Sequence, residues 1–462
     1  MIRFGPFQID PRTWELAKDG MPVDLSPRLV EILAFIVSKA GQIVTKDELL
    51  DKFWPGVNVT ENTLTRAIAD IRKAIGDGSA EPQYLETAAR RGYRFVGERP
   101  TVSDPFQDWV KGRLALDTLD ANRLTDAVHA FERATAELPR YAPAHAGLAN
   151  AYLLQYERTR FGSTPDRGLI AKAIDAARQA TGLDASLGEA WAVLGYLLCA
   201  AGQHEEGQAA GRRATALEPE NWRHHYRLAY GSWGEERLRA VDRTLAIMPT
   251  FAPARMLAAM VFVARGTIDR AERDTDIGAE LQRQNQSAKT PLPAVGFHWL
   301  RGMIVASKGD REGALACFDE EIASSADHVY GREFAINAHV ASGFTRLASG
   351  DRDGAMKAFT ESATHPKSRV GMLAIGGDLA GVEQAINELT ASQRFAEAAL
   401  VTAGAQLATG RIDEAIAGLD RLLTSAPPGP SGWIIPIDPM LAALHQSPGK
   451  SRLFAKLAAR AA

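Results

Sequence analysis

Cysteine is scarce in this 462-residue chain, which contains only Cys199 and Cys317. They lie far apart in apolar helical stretches, so the sequence favours buried free thiols over a disulfide framework. No apolar run reaches the length of about 18 residues that a membrane helix needs. The N-terminal sequence MIRFGPFQID also lacks the basic and apolar regions of a signal peptide. We therefore expect a cytoplasmic protein that does not contact a membrane.

An excess of positive charge is also missing. The formal net charge of the chain is −3, and residues 1–99 contain 14 Lys and Arg against 14 Asp and Glu. Global electrostatics therefore do not identify a nucleic-acid-binding protein, and any charge that faces DNA has to be local.

Catalytic and metal-binding motifs are absent as well. The sequence SPGKS at 447–451 contains the glycine-lysine pair of a phosphate-binding loop, but Leu444 occupies the position of its first glycine. There is no G-x-S-x-G, H-E-x-x-H or C-x-x-C motif, and the adjacent His224 and His225 point to different faces of a helix. We expect no catalytic residue, no metal site, no cofactor and no enzyme activity.

The first hundred residues predict a strand meander, three helices and a hairpin. Residues 1–25 have strand character, with a hairpin turn at Asp19-Gly20. The helices are predicted to start at Ser26-Pro27, at the capping box TKDE that begins with Thr45, and near residue 60. The sequence YLETAARRGYRFV at 84–96 returns to strand character around a basic turn.

This order resembles the OmpR/PhoB-type winged helix-turn-helix family, and in particular its ToxR-, CadC- and HilA-like regulators. The resemblance spans residues 3–97 and is carried by LSPRLVEILAFIVSKAGQIVTKDELLDKFWPG, LTRAIADIRKAIGD and YLETAARRGYRF. It implies an α+β DNA-binding domain at 1–98 in a one-component transcription regulator. It also implies that helix 60–75 enters the major groove and that the wing 88–92 lies at the minor groove of double-stranded DNA.

The predicted recognition helix packs with Leu64, Ile68, Ile71 and Ile75. The residues predicted to point outward are Asn62, Thr63, Arg66, Asp70 and Lys73. Asn62 can bind adenine and Arg66 can bind guanine in bidentate fashion, whereas Arg72 and Lys73 suit phosphates. Asp70 departs from the basic residues common in the family, and it either accepts from cytosine or repels phosphate. The alternative for the whole face is an ordinary solvated helix surface.

The other predicted DNA contacts lie outside this helix. Two adjacent arginines, Arg90 and Arg91, suit a narrow minor groove with strong negative potential. Thr45 caps a helix, and the resemblance adds a phosphate contact. Trp54 matches a family position that faces the DNA backbone, but it also fits a core position.

Helical repeats follow from about residue 110. A small residue recurs in successive helices, at Ala149, Gly195, Ala229, Ala259, Gly302, Gly343 and Ala403. In five units a glycine follows seven residues later, at Gly202, Gly266, Gly309, Gly350 and Gly410, and a second small residue comes five further on, at Gly207, Ala271, Ala314, Ala355 and Ala415. The units resemble tetratricopeptide repeats, which implies an all-α solenoid; an irregular helical bundle is the alternative.

The predicted organisation is a DNA-binding domain at 1–98, a linker at 99–110, repeats at 111–432 and a C-terminal cap at 433–462. The repeats are predicted to bind a protein, a peptide or a small effector in a groove. The groove candidates are Tyr152, Trp191, His225, Phe262 and His298, although packing between repeats is an alternative for each of them. Further partners that we consider are RNA polymerase and a second copy of the chain. A competing hypothesis is a repeat scaffold whose winged domain binds protein.

Overall fold

The computed structural model describes residues 2–11, 13–54, 61–78, 81–98, 101–102, 104–117, 123–159, 166–285, 294–324 and 331–462. The chain divides into two compact units, Met1–Ala151 with Ala176–Leu187 and Tyr152–Asp175 with Gly188–Ala462. No helix among the described residues has the length and apolarity to span a bilayer.

The first unit begins with the predicted strand meander. Its strands are β1 Ile2–Phe4, β2 Phe7–Asp10, β3 Glu15–Lys18 and β4 Met21–Val23. They form an antiparallel sheet in which Ile2 pairs with Ile9 and Ile9 with Leu16. Asp19 and Gly20 both have positive φ, 50° and 82°, as the two central residues of a tight hairpin turn do. The sequence prediction for this turn is confirmed.

Three helices and a second sheet complete the winged-helix domain. The elements are α1 Pro27–Ser38, β5 Ile43–Thr45, α2 Lys46–Phe53, α3 Glu61–Ile75, β6 Leu85–Ala88 and β7 Gly92–Phe95. The second sheet has the order β5-β7-β6. The core of the winged-helix domain contains residues that are all fully or almost fully buried, among them Ile32, Leu33, Val44, Leu49, Ile71 and Leu85. Strand β5 was not predicted, because three residues carry too little alternation to reveal a strand.

The described residues of the predicted linker at 99–110 form regular secondary structure. Strand β8, Thr101–Val102, pairs with β1 and extends the first sheet. Helix α4, Asp104–Asp117, includes the last seven residues of the predicted linker. The prolines at 100 and 105 suggested a linker, but a proline is also tolerated in the first turn of a helix, where Pro105 lies.

The described residues of 124–425 are mainly helical, and consecutive helices of the second unit pack in pairs such as α8 with α9, α12 with α13 and α14 with α15. The helices are α5 Leu124–Glu137, α6 Ala142–Thr159, α7 Arg167–Leu183, α8 Gly188–Ala200, α9 His204–Leu217, α10 Trp222–Gly231, α11 Gly234–Ile247, α12 Ala252–Ala264, α13 Ile268–Asn285, α14 Phe297–Ser307, α15 Arg311–Ser324, α16 Gly331–Ala348, α17 Arg352–Glu361, α18 Pro366–Gly376, α19 Leu379–Ala391, α20 Phe395–Ala408 and α21 Ile412–Ser425. The predicted fold class, a winged-helix domain followed by all-α tetratricopeptide-like repeats, is confirmed.

The repeating small residues fall in the first helix of each hairpin, where the second helix approaches closely. At Gly195 the near atoms are the backbone of Gly207 and Gly211, whereas at Gly302 and Gly343 they belong to a phenylalanine ring. A Cβ atom at Gly302 would be 2.4 Å from the ring of Phe318, and one at Gly343 would be 2.4 Å from the ring of Phe359. Both rings are fully buried. The glycines predicted at the turns have positive φ, for example 84° at Gly202 and 92° at Gly309. The small residues are therefore required by close helix packing.

One hairpin follows the same register without a small residue. In α18 and α19, Gly377 takes the turn position with φ 81°, and Val370 and Val382 stand seven residues before it and five after it. Both valines are buried. This unit was missed in the sequence because valine does not mark a close helix approach, and it fills the long interval between Gly343 and Ala403.

The segment predicted as a C-terminal cap has its own local structure. After a series of turns it forms a 3₁₀-helix, Pro439–Gln446, and then helix α22, Lys450–Arg460. The carboxylate of Asp438 accepts a hydrogen bond from the Met440 N–H at 3.0 Å and so caps the 3₁₀-helix. The segment belongs to the same hydrophobic core as the repeats of the second unit.

Candidate nucleic-acid interface

Helix α3 has one buried and one exposed face, in the register that the sequence predicts. Leu64, Ile68, Ile71 and Ile75 are buried against the domain core. The side chains predicted to point outward are all exposed, namely Asn62, Thr63, Arg66, Asp70 and Lys73. This face offers an amide, a hydroxyl, two cations and the carboxylate of Asp70 on a rod of the width that a major groove accepts.

Arg72 has a role inside the domain, and its predicted contact with a phosphate stays a prediction. Its Nη2 donates to the backbone oxygen of Leu85 at 2.7 Å and to Oγ1 of Thr87 at 2.8 Å. The side chain leaves α3 on the side of strand β6, where one backbone and one side-chain acceptor fix the guanidinium. Arg72 therefore holds the end of α3 against the hairpin, and Lys73 is the exposed cation of that last turn.

Asp77 makes a second connection between α3 and the hairpin, and sequence reasoning missed it. Its carboxylate accepts from the backbone N–H groups of Gln83 at 2.7 Å, Tyr84 at 3.2 Å and Leu85 at 2.7 Å. The side chain is buried, with 8% exposure. A buried carboxylate needs such donors, because burying a charge without hydrogen bonds is costly. An acidic residue between two glycines directly after a helix was the only sequence signal.

The hairpin β6–β7 leaves the two predicted arginines, Arg90 and Arg91, exposed, and it pairs a third arginine with a carboxylate. Across the hairpin, Nε of Arg94 lies 3.0 Å from the Glu86 carboxylate. Arg90 and Arg91 are exposed at the turn, and Arg90 has a φ of 61°. Although residues 1–99 are neutral overall, positive charge is therefore exposed locally at the turn of the hairpin and on the outward face of α3.

A glycine directly after the turn lets this hairpin approach strand β5. A Cβ atom at Gly92 would lie 2.0 Å from the backbone oxygen of Val44. At the same junction the Lys46 N–H donates to the Arg91 oxygen at 3.2 Å. Backbone contacts thus fix the position of the arginine turn relative to the start of α2.

Thr45 caps α2 as predicted: its Oγ1 accepts from the Glu48 N–H at 3.1 Å. The Glu48 carboxylate binds the ammonium of Lys39. Asp47 is exposed in the first turn of the same helix, where it complements the positive end of the helix dipole. That carboxylate opposes a phosphate at this helix end, so the predicted phosphate contact of Thr45 stays a prediction.

Trp54 is half-buried and packs against the domain core. The guanidinium of Arg28 lies over its ring at 5.0 Å, a cation–π arrangement. Arg28 also donates to the backbone oxygen of Phe53. The indole therefore has a packing role, which was one of the two alternatives, and its contact with DNA is untested.

The groove residues predicted in the repeats do not line an open surface together. Tyr152 and His298 are buried, with 8% and 0% exposure, which excludes them from an open groove. The Nδ1 atom of His298 lies 2.8 Å from the Glu320 carboxylate, and burial lowers the pKa of this imidazole.

The other three candidates are half-buried and contact their own surroundings. The guanidinium of Arg213 covers the ring of Trp191 at 4.3 Å, and that of Arg270 lies 5.7 Å from the ring of Phe262. Nε2 of His225 is 2.9 Å from the backbone oxygen of Pro219, and burial lowers the pKa of this histidine. The packing alternative describes these residues better than the groove hypothesis.

The helical register explains why these candidates pack within the repeats. All five candidates lie four residues before or three residues after the small residue of their helix, as Trp191 does relative to Gly195 and Phe262 relative to Ala259. Residues at these spacings share one helix face. The small residue faces the second helix of the hairpin, so side chains in the same stripe pack there too.

Comparison with known proteins identifies the N-terminal part of the chain. Residues 20–95 match the family described as "Transcriptional regulatory protein, C terminal". The transcriptional activator CadC of Escherichia coli is 30% identical over 97 residues, which are 21% of this chain and 19% of CadC. The transcriptional regulator HilA of Salmonella typhimurium is 36% identical over 90 residues, which are 20% of this chain and 16% of HilA. The chain thus matches less than a fifth of either relative.

Solved structures resemble different parts of the chain. The DNA-binding domain of E. coli CadC is 29% identical with a TM-score of 0.19, over 21% of this chain and 90% of that domain. A tetratricopeptide repeat protein from Parabacteroides merdae is 15% identical with a TM-score of 0.39, over 61% of this chain and 98% of that protein. Together with the family match, the elements of residues 20–95 identify this part of the chain as a transcriptional-regulator DNA-binding domain of the OmpR/PhoB type.

Proposed function

We propose that this chain regulates transcription by binding double-stranded DNA with helix α3 in the major groove and the turn of hairpin β6–β7 at the minor groove. The observation that carries the proposal is the connection between these two elements. Arg72 and Asp77 tie α3 to β6, so that the exposed cations of the helix and the turn are held as one surface. Such pre-organisation lowers the entropic cost of binding.

Each exposed group has a proposed role. Asn62, Thr63 and Arg66 contact base edges, Lys73 contacts a phosphate, and Arg90 with Arg91 follows the minor groove. Asp70 selects against sequences that bring a phosphate or an acceptor close to it. The relatives are described as a transcriptional activator and a transcriptional regulator, and their descriptions support regulation as the purpose of binding.

The test is a selection of bound duplexes from a random library by the full chain, followed by affinity measurements at two salt concentrations. We expect the selected site to bind about 10³-fold or more tightly than random duplexes. We also expect affinity to fall steeply with salt, because phosphate contacts release counterions. Equal affinity for all duplexes with no salt dependence would instead favour the scaffold function, in which the winged domain binds protein.

We further propose that DNA is bound by two copies on paired half-sites. A single winged domain offers an interface of roughly 600–1,000 Å², which is small for tight specific binding at physiological salt. Half-sites one helical turn or a multiple apart are then expected in footprints. A single short site that a monomer binds with full affinity would exclude this arrangement.

We propose that the repeats are the regulatory input of the protein and that their partner is a protein segment. Hairpin repeats present a long face to which an extended chain can bind. Contact with RNA polymerase is one role that such a face could serve. Recording transcription from a selected site with the full chain, and with variants of the repeats that keep DNA affinity, tests this part of the proposal.

A further inference from the structure

The C-terminal segment of residues 433–446 lies against the first helices of several repeats in the second unit. Its 3₁₀-helix contacts α14, α16 and α20, and α22 behind it packs on α21 and α12. The apolar side chains of the segment are buried in the same core as the repeats, and they are Ile434, Ile435, Ile437, Met440, Leu441 and Leu444.

Two contacts define which face of the repeats the segment occupies. A Cβ atom at Gly404 would lie 2.7 Å from Sδ of Met440, and the ammonium of Lys367 binds the Asp438 carboxylate. Gly404 is one residue after Ala403, and Lys367 is three residues before Val370, the residue in the small-residue register. One residue along a helix turns the side chain by about 100°, so this face differs from the packing stripe that holds Trp191 and Phe262.

We call this face the inner face and define it by the two register positions. In the second unit, the residues three before the register position are Ala192, Tyr226, Met256, Trp299, Val340, Lys367 and Leu400. The residues one after it are Tyr196, Tyr230, Met260, Met303, Phe344, Gly371 and Gly404. The inner face is therefore mostly apolar, and Lys367 places one positive charge in it.

The single charge of the inner face is matched by the segment. The side chains of Lys367 and Asp438 are 17% and 4% exposed. A buried cation needs a partner, and removing one member of such a pair is strongly unfavourable. Asp438 stands between Pro436 and Pro439 in the sequence WIIPIDPMLAAL, in which it is the only ionisable residue.

The segment covers part of the inner face, and four positions beyond it are half-buried. Trp299, Met303, Phe344 and Leu400 are buried, in helices α14, α16 and α20. Tyr226, Tyr230, Met256 and Met260, in helices α10 and α12, are only half-buried. Apolar inner-face positions without full cover continue beyond those where the segment lies.

We propose that residues 433–446 are an internal ligand of the inner face, and that the external partner is a protein segment of the same chemistry, with an aspartate between apolar residues, that displaces it. The inference rests on the part of the proposed function in which the repeats bind a protein segment. An occupant with prolines on both sides of its aspartate has a restricted backbone, which reduces the entropy lost on binding.

The internal ligand competes strongly because both of its ends are held. It follows α21 in the chain, and α22 anchors its other end. Arg460 donates to the backbone oxygens of Leu423 at 2.9 Å and Ala426 at 3.0 Å, and Arg265 donates to that of Ala461 at 2.7 Å. A tethered ligand has a high effective concentration, so an external segment binds only to the fraction of molecules in which residues 433–446 have left the inner face.

The test uses the full chain and a fluorescent synthetic peptide of residues 430–446. Asp438→Asn removes the ion pair but keeps an oxygen for the Met440 N–H. We expect this variant to bind the peptide about tenfold or more tightly than the unaltered chain, because its internal ligand is weakened. Hydrogen exchange of residues 433–446 should rise in the same variant. Glu383→Gln, which alters an exposed carboxylate on α19, is the matched control and should change neither measurement.

Two further variants keep the proposal falsifiable if Asp438→Asn disturbs folding. The exchange of charges in Lys367→Asp with Asp438→Lys should restore weak peptide binding and slow hydrogen exchange. Gly404→Cys with Met440→Cys places two thiols at a close contact; its oxidised form should not bind the peptide, and reduction should restore binding. Lys357→Glu, at an exposed lysine of α17, is the control for Lys367→Glu, which should abolish peptide binding.

The proposal is overturned if Asp438→Asn leaves both hydrogen exchange and peptide binding unchanged, or if Lys367→Glu binds the peptide as well as Asp438→Asn does. A concentration-dependent dimer of Asp438→Asn that excludes the peptide would overturn the external partner and indicate exchange of the segment between two copies. DNA affinity is measured separately on each variant. A loss of DNA binding would therefore count against the proposed function and not against this inference.

Discussion

The winged-helix domain and the repeats differ in what they do with their candidate binding surfaces. The domain leaves the outward face of α3 and the arginine turn exposed. The internal hydrogen bonds of Arg72 and Asp77 connect the two elements that carry these exposed groups. In the second unit the chain covers much of the inner face with its own residues 433–446. An exposed polar surface can be recognised from the register of one helix. To recognise a covered apolar surface, one must also know where the covering segment, distant in sequence, lies.

This contrast has a physical origin. Protein surfaces that bind nucleic acids are polar and charged, so they remain stable in water without a partner. A long apolar face is unstable in water and favours any available apolar segment. We therefore expect the DNA surface to be open in every state of the protein, and the inner face to be open only in some.

The largest expected effect tests the packing that forms the repeats. Phe359→Ala removes a fully buried ring that fills the space above both Gly343 and Gly371. It should lower the free energy of unfolding of the second unit by about 3–5 kcal/mol. The measurement is a urea titration followed by helical circular dichroism.

Phe395→Ala is the control, because Phe395 is 61% exposed and its removal should leave the urea midpoint nearly unchanged. DNA affinity of Phe359→Ala at low temperature should equal that of the unaltered chain. A parallel loss of DNA affinity would show that DNA binding depends on the packing of the second unit.

The second prediction concerns the connection between α3 and the hairpin. Asp77→Ala leaves three backbone N–H groups without their acceptor and should destabilise the winged-helix domain by about 2–3 kcal/mol. Asp70→Ala removes an exposed carboxylate from the same region and should change stability by less than about 0.5 kcal/mol. Thermal unfolding of the two variants checks this; equal stability would mean that the Asp77 contacts do not hold the hairpin.

Much of the fold could be predicted from the sequence because its signals were local. The turn at Asp19-Gly20, the cap at Thr45 and the stripe of Leu64, Ile68 and Ile71 each depend on residues a few positions apart. The α18–α19 hairpin escaped because Val370 and Val382 replace small residues without changing the backbone. Its turn glycine, Gly377, lay in the correct register and was the signal that could have found it.

The site could be predicted only where a helix face decides it. The outward residues of α3 were assigned correctly as exposed, but the contacts of Arg72 with β6 were missed because Leu85 and Thr87 are distant in sequence. The groove candidates were chosen for size and polarity, which are properties of packing residues as well. The inner face at Lys367 and Gly404 required knowledge of where residues 433–446 lie.

The third prediction addresses the electrostatics of the exposed turn. Arg90→Ala with Arg91→Ala should weaken binding to every sequence and reduce the slope of affinity against salt by up to about 2. Arg3→Ala with Lys18→Ala removes the same charge from the first sheet and is the control. If both double variants change the slope equally, net charge rather than a minor-groove contact explains the effect.

The fourth prediction separates base recognition from charge. Arg66→Ala should cost about 1–3 kcal/mol on the selected site and relax the preference at one base position. The readout is a repeated selection from the random library, compared with Arg3→Ala. An equal loss of affinity on every duplex, with the base preference intact, would show that Arg66 contacts only the DNA backbone.

The smallest expected effect decides what Thr45 does. Thr45→Ala removes the cap of α2 and should cost about 1 kcal/mol of stability. Thr45→Asp keeps a capping oxygen and adds a negative charge that the helix dipole favours, so its stability should equal that of the unaltered chain. The two variants therefore differ in opposite ways from the native residue: one loses the cap, and the other adds a charge that a neighbouring phosphate would oppose. If Thr45 only caps the helix, Thr45→Asp should bind the selected site with the same affinity at low salt. If Thr45 also lies at a phosphate, Thr45→Asp should lose affinity, and the loss should shrink as salt rises, since screening weakens the repulsion.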